Sequence, residues 1–244
     1  MASRLFTRIT LGLGGGLALG AALIAPISPA MAQRPSEKEA VKPIKVDPIQ
    51  HTQTMTYAVD PDISHDPDNV LVLDLSNGGR VAIRLMPQWA PNHVERIKTL
   101  TREGFYNGVI FHRVIEGFMA QTGDPTGTGQ GGSKLPDLKA EFNDIPHLRG
   151  TVSMARTDEP NSANSQFFIV FYPRFALDHK YTNFGRVIAG MDIVDAIVRG
   201  EPPKNPTKIV QASLASENKT PPPPPAPAAP AAFTADMLSN SKSN

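Results

Sequence analysis

FHRVIEGFMAQTGDPTGTGQGG, residues 111–132, can be read in two ways that lead to different folds. Its first half has strand character over 109–114 and again over 118–122, two short runs rather than one segment of helix length. Its second half, Gly127-Thr128-Gly129-Gln130-Gly131-Gly132, matches the G-x-G-x-x-G pattern of a dinucleotide site. Such a site needs its glycines between a strand and a helix, so that the helix N-terminus faces a pyrophosphate. Here Asp124-Pro125 precedes them, and Ser133-Lys134-Leu135-Pro136 follows with a proline where the helix would lengthen. The glycine run reads as a surface loop, and a nucleotide-dependent oxidoreductase has no other support in the chain.

Working outward, Val70 to Leu75 and Arg80 to Leu85 are two further strand candidates joined by Ser76-Asn77-Gly78-Gly79, whose Asn-Gly pair suits a tight hairpin. In the second strand Val81, Ile83 and Leu85 share one face. Pro91 opens a helix in which Val94, Ile97 and Leu100 recur every three residues, and Gly104 stops it. Strand character returns over 150–156, 166–171, 181–188 and 208–214, with a second short helix over 191–199 that places Met191, Val194 and Val198 on one side. Many short strands, two helices and glycine-rich turns predict an antiparallel barrel rather than a doubly wound sheet.

The chain has 244 residues, 24 Lys+Arg against 23 Asp+Glu, 24 prolines and no cysteine. The near-zero charge gives no basic face for nucleic acid. Without cysteine there is no thiolate nucleophile, disulfide framework or cysteine-held zinc. Residues 1–32 read as an export signal: Arg4 and Arg8 without an acid, an apolar run from Ile9 to Ala25, and Ala30-Met31-Ala32 before Gln33. The run falls short of the roughly 20 predominantly apolar residues of a membrane span, so no stable anchor is expected once the signal is cleaved. The destination is then a bacterial periplasm. Residues 33–68 form a polar, proline-containing arm, 69–215 the compact domain, and 216–244 a Pro/Ala-rich tail that favours extended polyproline.

The six histidines show no metal-ligand spacing and no serine sits in a G-x-S-x-G elbow. His112, flanked by apolar residues, reads as a hydrogen-bonded structural histidine. The informative group is Arg113 with Met119 and Gln121, then Gln166 and Phe168. Period-2 geometry puts Arg113 on one face with Phe111 and Val109, Met119 with Gln121, and Gln166 with Phe168, while Phe167, Ile169 and Phe171 take the opposite face. One side of such a strand serves the core; the other forms an apolar patch carrying polar groups.

At these residues the sequence resembles the cyclophilin family of peptidyl-prolyl cis–trans isomerases. The matching stretches are FHRVIEGFMAQTGDPTGTGQGG (111–132), RGTVSMAR (149–156), NSANSQFFI (161–169) and LDHKYTNFGRVIAGMDIVDAI (177–197), in the family's order. The resemblance implies a mainly β fold, a closed eight-stranded antiparallel barrel capped by two α-helices. It makes Arg113 the catalytic arginine; Phe118, Met119, Phe168 and Leu177 the proline pocket; and Gln121, Ala155, Arg156 and Gln166 the groups that hold the substrate backbone. Two positions depart from the family's pattern. Ala176 stands where many members carry a tryptophan, which implies weak binding of cyclosporin-type inhibitors, with Phe175 a neighbour that fills the gap only if it turns inward. Tyr181 replaces a pocket histidine and is expected to keep the wall.

Rotation about an X–Pro bond breaks no covalent bond, so the reaction requires no nucleophile, metal or cofactor. The implied partners are proline-containing segments of folding proteins, with assistance to exported proteins as the role. The alternative is a peptide-binding chaperone with little turnover.

Overall fold

The computed structural model describes residues 58–223; the export signal and its cleavage point, most of the arm and the tail from 224 onward lie outside the described residues. Eight strands form one antiparallel sheet: β1 (Val70–Leu75), β2 (Arg80–Leu85), β3 (Arg113–Ile115), β4 (Met119–Thr122), β5 (Thr151–Met154), β6 (Phe167–Val170), β7 (Asn183–Ala189) and β8 (Ile209–Leu214). They lie in the order β3-β4-β6-β5-β7-β2-β1-β8, with helices α1 (Pro91–Arg102) and α2 (Met191–Asp195).

The first hairpin follows from its alternation. Leu71 pairs with Ile83 and Leu73 with Val81, and all four enter the main core. Gly78 takes the positive φ of 89° that the turn requires. Helix α1 begins on Pro91 with Ala90 as its cap residue, which offers no side-chain acceptor. The Glu141 carboxylate instead accepts the backbone N–H groups of Asn92 and His93 at 3.2 and 3.1 Å, satisfying donors that a helix N-terminus leaves open. Val94, Ile97 and Leu100 bury the expected face.

The barrel departs from the expected closure: the sheet is a curled, open half-barrel whose end strands are β3 and β8. No ladder joins them. The irregular stretch before β3 crosses the opening, with a single bridge between Ile110 and Lys208 and bonds from Gly108 N to Ile209 O (2.7 Å) and Phe111 N to Thr207 O (2.8 Å). Because regular pleating begins only at Arg113, the period-2 argument fails upstream of it. Phe111 points into the core while Arg113 lines a surface cavity, so the two do not share a face.

Helix α2 is also shorter than expected. Arg199 Nη1 donates to the carbonyl oxygens of Asp195 and Ile197, closing the helix early and leaving Val198 exposed. On the outer face of β2, buried Arg84 donates to the carbonyls of Asp60, Asp62, His65 and Asp66. The described end of the arm is thus held against the sheet. Arg80 and Gln211 hold the start of the tail in the same manner, at the carbonyls of Lys219 and Thr220.

Candidate active site

The outer faces of β3, β4 and β6 carry a second apolar cluster separate from the core. Met119, Phe168 and Val170 are buried there, with Phe118, Ala155, Leu177 and Tyr181 packed against them. Register explains the gathering: Arg113 faces Gln121 across β3–β4, and Gln121 faces Phe168 across β4–β6. On β6 the alternation is as expected, with Phe167, Ile169 and Phe171 in the core. Of the residues that the sequence singles out, all but Gln166 line one cavity of about 230 Å³. Gln166 lines the adjoining polar cleft, which shares Gln121, Ala155 and Arg156 with that cavity.

Tyr181 meets Phe168 edge-on at 5.5 Å, so it forms a wall of the cavity. The Arg156 guanidinium stacks over the Tyr181 ring at 4.8 Å and donates to the carbonyls of Lys180, Thr157 and Asp158. Its side chain therefore fastens the wall to the neighbouring loop. Phe175, by contrast, is 64% exposed and does not line the cavity. Arg174, which no sequence pattern marks, covers Phe118 at 5.1 Å.

The polar side of the cavity is an ordered relay. Gln166 Nε2 donates to the carbonyls of Gly129 and Gly131 at 3.1 and 2.8 Å, which fixes its amide orientation. Its Oε1 then accepts from Gln121 Nε2 at 2.9 Å. The glycine loop that supplies those carbonyls is wrapped around the buried Asp124. Burial alone would raise the Asp124 pKa, but hydrogen bonds from the Thr126 side chain and the backbone N–H groups of Thr126, Gly131 and Gly129 bring it down to about 2. The N–H groups that would cradle a phosphate in a dinucleotide site are spent on this carboxylate. A β-carbon at Gly131 would sit 2.1 Å from its oxygen. Among the described residues every strand pair is antiparallel, and the oxidoreductase reading falls.

Two further polar groups lie near the cavity. Arg113 donates through Nε to Glu201 Oε2 at 2.7 Å; the sequence separates the pair by 88 residues and gave no hint of it. Ser153 Oγ lies 2.9 Å from His147 Nε2, and His147 Nδ1 lies 2.7 Å from Asp178 Oδ1, the connectivity of a nucleophilic triad. Ser153 is fully buried, so no acyl group reaches it. The three residues act as a brace that ties β5 beneath Phe168 to the turn carrying Leu177. Burial pushes the His147 pKa down, partly opposed by Asp178, and keeps the ring neutral. His112 is buried too, yet among the described residues neither ring nitrogen has a partner, contrary to the expectation of a hydrogen-bonded histidine.

Residues 70–214 match the family model described as cyclophilin type peptidyl-prolyl cis-trans isomerase. A probable peptidyl-prolyl cis-trans isomerase of Brucella suis is 50% identical over 170 residues, covering 63% of this chain and 86% of the relative. Peptidyl-prolyl cis-trans isomerase-like 1 of Aspergillus fumigatus is 41% identical over 156 residues, 60% of this chain and 96% of the relative. Among solved structures, the cyclophilin AquaCyp293 of Hirschia baltica superposes with a TM-score of 0.58 at 33% identity, covering 62% of this chain and 76% of its own. A Cryptosporidium parvum cyclophilin solved in the presence of the dipeptide Ala-Pro gives 0.56 at 28% identity, with 59% and 98% covered. With the family model matching well over half of its length, this chain belongs to the cyclophilin-type peptidyl-prolyl cis–trans isomerases.

Proposed function

We propose that Arg113 is the catalytic group and that the apolar cavity beside it grips the proline ring during rotation. The barrier to X–Pro rotation is about 18–20 kcal/mol, because the nitrogen lone pair is delocalised into the carbonyl. In the twisted amide that lone pair is localised and accepts a hydrogen bond, so a donor aimed at it favours the twisted form over the planar one. A guanidinium suits the task, being permanently charged and less strongly hydrated than an ammonium. Phe118, Met119, Phe168 and Leu177 exclude water and strengthen that contact, with Tyr181 as the wall. Gln121, ordered by Gln166, and the backbone at Ala155 and Arg156 restrain the flanking peptide. The observation that carries this reading is the placement of Arg113 on the same cavity as those four apolar side chains.

The substrates are proline-containing segments of folding proteins. The export signal read at residues 1–32 supports a periplasmic location and exported clients. Ala176 in place of a tryptophan and the exposed Phe175 favour weak cyclosporin-type inhibition.

Exchange NMR on an Ala-Pro-containing peptide tests the proposal. A catalytic amount of the chain should produce cis–trans exchange peaks, with shifts in the chain centred on Phe118, Met119, Phe168 and Tyr181. Binding without exchange would make the chain a holding module instead. Recovery from a periplasmic extract of a chain starting at Gln33 supports the location; a cytoplasmic full-length chain contradicts it.

A further inference from the structure

Arg113 and Glu201 are held opposite each other by backbone, not by side chains alone. Val114 N donates to Gly200 O at 2.8 Å, and Gly200 N returns a bond to Val114 O at 2.9 Å. In this antiparallel bridge the residue before Val114 faces the residue after Gly200, which sets Glu201 beside Arg113. The loop carrying Glu201 is fixed at several points. Gly200 has a φ of +144° and lies so close to Pro203 that a β-carbon would approach its Cα to 2.6 Å. Pro203 itself is buried, and Val198 N donates to Thr207 Oγ1 at 3.2 Å.

Both side chains are about half exposed, 42% for Arg113 and 50% for Glu201. An ion pair so exposed to water adds little to stability, and its value lies elsewhere. A guanidinium is planar, so one bond at Nε fixes the direction of the whole fork. Glu201 takes Nε–H, and among the described residues neither terminal nitrogen of Arg113 has a protein acceptor. The two NH₂ groups remain available to the cavity that Arg113 lines. A free arginine at a rim would instead sample several rotamers, and each lost orientation lowers the fraction poised to donate.

We propose that Glu201 is a positioning residue: it clamps Nε of Arg113 so that the terminal nitrogens face the rotating amide. This rests on the reading of Arg113 as the catalytic group. It assigns a role to a loop between α2 and β8 that is otherwise outside the site.

The test is a double-mutant cycle read as separate kcat and KM on a proline-containing peptide, using the chain, Glu201→Ala, Glu201→Gln, Arg113→Ala and the Arg113→Ala/Glu201→Ala pair. Melting temperatures should coincide, since both side chains face water. Glu201→Ala should lower kcat about tenfold and leave KM within about twofold, less than the ~10²-fold that an ångström of misplacement can cost. Glu201→Gln, whose amide oxygen still accepts from Nε–H, should recover most of the rate, and the pair should be no slower than Arg113→Ala alone. A Glu201→Ala enzyme with full kcat beside a crippled Arg113→Ala would overturn the positioning role while sparing Arg113. An equal loss from Glu201→Ala in the Arg113→Ala background would overturn it as well. An active Arg113→Ala enzyme would remove Arg113 from the reaction and the clamp with it.

Discussion

Ala176 is exposed on the short turn Phe175–Leu177, directly before the cavity-lining Leu177. Phe175 turns outward, so nothing replaces the broad aromatic surface that a tryptophan would provide there. Ala176→Trp should therefore tighten cyclosporin binding by about tenfold, ~1.4 kcal/mol, with peptide turnover little changed; titration calorimetry measures it, and an unaltered affinity would refute the account of weak inhibition. At the same scale, the shared faces of Met119 with Gln121 and of Phe168 against Phe167 were legible from alternation, whereas Arg113 and Phe118 were marked only by the resemblance. Glu201 was marked by neither. Its meeting with Arg113 depends on a backbone bridge between segments far apart in sequence, and no periodicity encodes such a bridge.

At the scale of elements, β1 and β2 were legible to the residue, because strict alternation and an Asn-Gly turn leave one register. Helix α1 was equally clear from Pro91, its three-residue apolar recurrence and Gly104. Regular patterns gave out where the chain itself is irregular. Ahead of β3 the backbone leaves the pleat, so Phe111 and Arg113 fall on opposite sides although two residues apart. In α2 the apolar stripe continued past Asp195, but an arginine bonding to the helix's own final carbonyls ended it sooner. The glycine loop was legible as something other than a phosphate cradle. That its carbonyls orient Gln166, and through it Gln121, required knowing which groups Asp124 had already taken.

For the molecule as a whole, the strands and helices that build the core followed from hydropathy patterning, whereas the open seam between β3 and β8 did not, since closure depends on three-dimensional strand tilt. The buried histidines are a global property of a different kind. His93, His112 and His147 are each held below the ordinary 6.5, chiefly by burial. The unfolded chain binds protons near pH 6.5 that the folded chain refuses, so stability rises with pH through this window and falls on acidification. Below about pH 4, Asp124 and Glu141, whose pKa values are depressed in the fold, add a further loss. The melting temperature should be lower at pH 5.5 than at pH 7.5; equality, or a higher value in acid, would contradict the neutral buried histidines.

The central claim is that a fixed guanidinium at the lip of a dry cavity lowers the energy of the half-rotated amide. Initial-rate isomerisation of a proline-containing tetrapeptide by the chain and by Arg113→Ala measures it most directly. If Arg113 contributes about 3–4 kcal/mol to the transition state, kcat/KM should fall roughly 10²–10³-fold with the fold intact, and Arg113→Lys should also be poor, since a point charge does not reproduce the fork. An Arg113→Ala enzyme with unchanged kcat/KM would contradict the account.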